Sequence, residues 1–149
     1  MSSQRGEAAA KLLFILLALA IAAAFAAPWF LSSRRSVEEA AAISTLRRIH
    51  TAQSQQYGAS ALYGSIARLK ESKLVDPRFQ DKQFTIEGYK YFHSTDGAMK
   101  SFCAEAVPEE GKSGKTYGID ESGVVLEFER NVSPCFGGVL TKTGGTPVR

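Results

Sequence analysis

The feature that most constrains this chain is an uninterrupted apolar run from Leu12 to Leu31. Its 20 residues carry no charged side chain, while Lys11 precedes the run and Arg34 and Arg35 follow it closely. As an α-helix the run is roughly 30 Å long, about the thickness of the hydrocarbon core of a bilayer. We therefore expect residues 1–33 to form a leader followed by the transmembrane half of a helix.

The same N-terminus also fits a second interpretation. A short basic segment, an apolar run and the small residues Ala24 and Ala26 around Phe25 are typical of a secretory signal with its cleavage site. Cleavage there would release a soluble domain that begins at Ala27. Composition alone leaves both interpretations open.

The residues after Arg35 favour a continuation of the helix. The stretch from Ser36 to Tyr57 contains no Gly or Pro and is rich in good helix formers. We predict one helix from near Ala8 to near Tyr57, kinked at Pro28 because proline removes a backbone donor and crowds the preceding turn. One helix face is formed by residues three or four positions apart, Ile43, Leu46, Ile49, Gln53 and Tyr57. We expect its apolar members, Ile43, Leu46, Ile49 and Tyr57, to pack on a head domain.

A short helix and a small sheet are predicted downstream. Ser65–Leu74 has the spacing of an amphipathic helix, and from Gln83 the apolar period changes to two, which is typical of strands. The predicted fold is α+β, a long kinked helix with its first half transmembrane, packed on an antiparallel sheet of about four strands. We expect the extracytoplasmic head to comprise residues 34–136 and a flexible, glycine-rich tail to comprise residues 137–149.

The two cysteines, Cys103 and Cys135, are 32 residues apart. An even number of cysteines in a chain that leaves the cytoplasm favours a disulfide. Two unpaired thiols are the alternative. A disulfide would tie down the region that follows the last predicted strand.

A resemblance to a known family is carried by the stretch from Pro28 to Gln53. It reads PWFL, then RR, then EEAAAI, then TLRRIHTAQ. This resembles bacterial type IV pilin-like proteins, and especially the major pseudopilins of type II secretion. Those proteins commonly have P-N-F-L, a basic patch, E-A and S-L-R-T-I-N-T-A-Q at the same spacing. The resemblance implies a pilin-like fold. It also implies a structural subunit of a pilus or pseudopilus in the inner membrane, with its head in the periplasm or on the extracellular side.

The first residues depart from that family. Its prepilin peptidase cuts after a glycine that follows a basic residue, which would place the cut between Gly6 and Glu7. The family has a glutamate five residues after the cut, which is thought to pair with the terminal amine of a neighbouring subunit, but Lys11 stands there. Besides a filament subunit, two functions stay open: a stand-alone anchored binding or scaffold protein derived from a pilin, and a secreted domain freed by signal cleavage.

No motif in the sequence indicates catalysis. The histidines His50 and His93 lie on different predicted elements, and Asp120 and Glu121 offer too few oxygen ligands for a calcium loop, so a hairpin turn is favoured. A net charge of +3 does not indicate nucleic-acid binding. We expect no enzyme activity, no cofactor and no metal. The expected partners are the membrane, a prepilin peptidase, and other pilin or pseudopilin subunits or copies of this chain.

Overall fold

A computed structural model of the chain describes the backbone of residues 3–148 and the side chains of residues 11–23 and 32–148. The chain divides into two units, Met1–Ser36 and Val37–Arg149. Helix α1, Ser3–Ser60, contributes residues to both units. The second unit also contains a short helix, α2, which comprises Ile66–Glu71.

The prediction of a membrane-spanning half of α1 is wrong. Among the residues that the structure describes, no helical stretch meets the length and hydropathy that a bilayer span requires. The apolar residues with described side chains, 12–23, extend only about 18 Å along a helix, against roughly 30 Å of hydrocarbon core. The prediction of a single-pass location in the inner membrane depended on this span and is also wrong. The predicted kink at Pro28 lies outside the described side chains.

The sheet is larger than predicted, with six strands instead of about four. All six are antiparallel to their neighbours, in the order β1-β2-β3-β4-β5-β8, and β6 and β7 form a separate two-stranded hairpin. The strands are β1 Gln83–Ile86, β2 Tyr89–Thr95, β3 Phe102–Pro108, β4 Thr116–Asp120, β5 Leu126–Phe128, β6 Cys135–Phe136, β7 Val139–Leu140 and β8 Thr146–Pro147.

The turn between β1 and β2 explains why they are two strands. Glu87 and Gly88 both have positive φ, 49° and 82°, as the commonest two-residue hairpin turn requires. Strand β8 comes from the segment 137–149, which we expected to be a flexible tail. It pairs with Leu126 and Glu127 of β5 at the edge of the sheet, where Pro147 does not interrupt a continuing ladder.

Both faces of the sheet are covered at its centre. All five residues of β4 are buried, as are six of the seven in β3. Residues 37–60 of α1 and helix α2 contribute to the core on one face, together with Ala104 and Ala106 of β3. Leu140 of β7 and Cys103 belong to a smaller cluster with Leu126 and Phe128. Coverage on two faces accounts for the nearly continuous apolar character of β3.

Candidate interaction surfaces

Part of the predicted packing face of α1 is buried against the head domain, and part is exposed. Leu46 and Ile49 are fully buried, and Ile43 is partly buried against the same core. Tyr57 is 40% exposed and stacks on Tyr63, with ring centroids 4.7 Å apart. Tyr57 therefore belongs to the rim of the packing face.

A buried polar network joins α1 to the sheet through Gln53, whose side chain is fully buried. Its Nε2 donates to the carbonyl oxygen of Gly64 at 2.6 Å, and its Oε1 accepts from the amide of Gly64 at 2.9 Å. The same Nε2 lies 2.7 Å from Nε2 of His93, which must accept in this contact. Burial lowers the pKa of His93 to about 4, so the ring stays neutral and able to accept.

The turn that follows β4 is held by its own side chains. Oδ1 of Asp120 accepts from the amide of Ser122 at 2.9 Å, and Oδ2 lies 3.2 Å from Nζ of Lys142. Burial raises the pKa of Asp120, but the hydrogen bonds from Ser122 and Lys142 outweigh it and hold the pKa below its ordinary value. His50 of α1 contacts the backbone oxygen of Glu121 at 3.4 Å. The carboxylate of Asp120 is thus engaged in fastening the turn.

A disulfide fastens the β6–β7 hairpin to the sheet. It joins Cys103 of β3 to Cys135 of β6, with a Cα–Cα distance of 5.7 Å, which is the pairing that the even cysteine count favoured. Beside it, the buried carboxylate of Glu105 accepts from Oγ of Ser133 at 2.7 Å and from the amide of Cys135 at 3.0 Å. Burial raises the pKa of Glu105, although both hydrogen bonds act in the opposite direction.

The tip of this hairpin displays an exposed aromatic ring. Phe136 is 87% exposed, and Val139, its partner across the hairpin, is also exposed. Gly137 and Gly138 between them both have positive φ. The amide of Gly138 donates to Oγ of Ser94 at 3.1 Å, so the tip is tied to β2 as well.

An open groove of about 650 Å³ lies between α1 and the loop of residues 74–79; we call it the α1 groove. Arg47 and Arg48 are exposed along it. Arg47 makes no ion pair with any residue whose side chain is described. Arg48 lies close enough to Asp76 to help lower its pKa, but the larger cause is the side-chain hydrogen bond from Arg78. The sequence gave no sign of the groove beside these two arginines.

The first unit carries a second exposed surface, here called the apolar segment, residues 12–21. Its eight large apolar side chains are between 52% and 76% exposed. Six of them are consecutive, from Leu12 to Leu17, and therefore point to every side of the helix. Lys11 is exposed next to them. The candidate cleavage site at Gly6 and Glu7 lies outside the residues whose side chains are described.

Neither known protein families, nor curated proteins, nor solved structures include a match to this chain. Within the residues that the structure describes, no group of three or more His, Cys, Asp or Glu side chains is arranged to hold a metal ion.

Proposed function

We propose that this chain is a structural subunit of an assembly resembling a type IV pilus or a type II secretion pseudopilus. It acts by packing its N-terminal helix against the helices of other copies or of related subunits. The observation that carries the proposal is the exposed apolar segment, residues 12–21.

A helix that is apolar on all sides is stable only where those sides are covered. Fully burying one large apolar side chain contributes roughly 1.5–3 kcal/mol, so eight of them supply a strong drive towards association. Ala18 and Ala20 lie between the large residues and allow a neighbouring helix to approach closely. The likeness of residues 28–53 to pseudopilins supports the same function.

The experiment places a photoreactive amino acid at Leu16 of the full-length chain. Irradiation should give crosslinked dimers and larger species whose linked peptides contain the apolar segment. The control carries the photoreactive residue at Glu110, an exposed position in the loop between β3 and β4. Equal crosslinking from both positions, or none from either, contradicts the proposal.

The exchange Lys11→Glu should strengthen the assembly. A lysine repels the terminal amine of a neighbouring subunit, whereas a glutamate would attract it, as the family pattern implies. We expect the variant to give more crosslinked product from Leu16 at equal protein concentration. A matched change of charge at a distant position, Lys73→Glu, should leave the yield unchanged.

A further inference from the structure

The α1 groove is elongated. Its lining on α1 extends from Ala40 to Gln55, which is about 22 Å along a helix axis. The groove is open along this length, so an elongated small molecule can lie in it beside α1.

The lining of the groove is mixed: seven of its thirteen residues are apolar, and Ser44, Thr51 and Gln55 of α1 are among the polar ones. Ile43 comes from α1, Val148 from the residues that follow β8, and Leu74, Val75 and Phe79 from the loop after α2. Phe79 is almost fully buried and stacks on Phe84, with ring centroids 4.4 Å apart. The amide of Val148 donates to the carbonyl of Val125 at 2.9 Å, so this wall is also fixed. The groove is thus formed before any occupant arrives.

The charges along the groove favour an anion. Asp76 forms an ion pair with Arg78, whose Nη2 lies 2.9 Å from Oδ2 of Asp76. The charge of Arg48 also interacts with this carboxylate. Arg47 has no such counter-charge among the described side chains, and its guanidinium offers a planar pair of donors suited to a carboxylate. An elongated open groove, with apolar side chains on both walls and one cation that has no counter-charge among the described side chains, matches a molecule that has an alkyl chain and an anionic end.

We propose that the α1 groove binds a fatty acid, with the alkyl chain along the apolar wall and the carboxylate on Arg47. The volume lies within the range of known small-molecule sites, roughly 300–1,000 Å³. Binding of this kind is independent of whether the chain assembles through its N-terminal helix.

The test uses the full-length protein and a fatty acid with a diazirine in its alkyl chain, and maps the labelled peptides by mass spectrometry. We expect saturable labelling of the loop 74–79, displaced by dodecanoate and much less by dodecanol. Arg47→Gln should lower the apparent affinity about fivefold, the scale of one charge-assisted contact at a partly exposed position. Arg48→Gln should lower the apparent affinity less, because Asp76 already partly neutralises the charge of Arg48.

Arg68→Gln is the matched control, since Arg68 is an exposed arginine on α2 that does not line the groove. Three results would overturn the proposal. They are labelling confined to the apolar segment, equal displacement by dodecanol and dodecanoate, and equal affinities of the Arg47→Gln and Arg68→Gln variants.

Discussion

Mild acid should destabilise the second unit through His93. The pKa of this side chain is about 4 in the folded protein and about 6.5 when exposed to water. Below pH 6.5 the unfolded chain takes up a proton that the folded chain does not accept until the pH approaches 4. The contribution to stability is therefore fully present above pH 6.5 and is lost as the pH falls through 4. Between pH 7 and pH 5 the linkage relation gives a loss of about 2 kcal/mol.

Burial lowers the pKa of His93, and its hydrogen bond favours the same neutral form. Its Nε2 accepts from the amide group of Gln53, and a protonated ring cannot accept. Two donors would then face each other at 2.7 Å inside the core. The amide of Gln53 cannot simply turn away, because it also pairs with both backbone groups of Gly64.

The assay is urea unfolding followed by far-UV circular dichroism at pH 7 and pH 5, on the wild type and on His93→Gln. The variant keeps a side-chain acceptor but does not titrate, so it should lose about 2 kcal/mol less than the wild type over this range. The raised pKa of Glu105 works in the opposite direction, with stability lost as the pH rises, but Glu105 is present in both proteins and cancels in the comparison. A pH effect of the same size in both proteins, within about 0.5 kcal/mol, would refute the role given to His93.

Three further predictions concern stability, each measured by urea unfolding at pH 7. Gln53→Leu should cost about 3 kcal/mol because it leaves two buried backbone groups unpaired, whereas Gln55→Leu, at an exposed position, should stay within about 0.5 kcal/mol. Replacing Cys103 and Cys135 together by alanine should cost about 3–4 kcal/mol, and reduction of the wild type should reproduce that loss. Gly138→Ala should cost at least about 2 kcal/mol, since its φ is +80° and the new Cβ would meet the backbone of residue 96 at 2.2 Å. The same exchange at the preceding glycine meets no neighbouring atom, and should cost only the backbone strain, about 1 kcal/mol.

Local patterns predicted the local features of this fold. The spacing of apolar residues identified Leu46 and Ile49 as core residues, and both are fully buried. A glycine readily adopts the positive φ of a tight turn, and the chain turns at Gly88, with φ of 82°, between β1 and β2. These features depend on neighbours three or four residues away, or on a single backbone angle, so a sequence displays them directly.

Features that depend on distant parts of the chain were missed. Strand β8 has only two residues, one of them Pro147, and it forms only because β5 leaves an edge for it. The contact between Gln53 and His93 joins residues 40 positions apart, and neither side chain shows by its type that the other is its partner. The α1 groove likewise exists only because the loop 74–79 and Val148 come to lie beside α1.

The two faces of the sheet are held by different chemistry, and this has a measurable consequence. One buried polar contact on the α1 face is the Gln53–His93 pair, in which His93 responds to protons. The β6–β7 hairpin is held by the disulfide between Cys103 and Cys135, which responds to reductants. The two clusters of buried apolar residues share no member, so perturbations of them should add. Acid and reduction together should therefore cost the sum of the separate losses, which are about 3–4 kcal/mol for reduction and about 2 kcal/mol for the difference between the wild type and His93→Gln, in which Glu105 cancels. A combined loss well below that sum would mean that acid and reductant open the same part of the sheet.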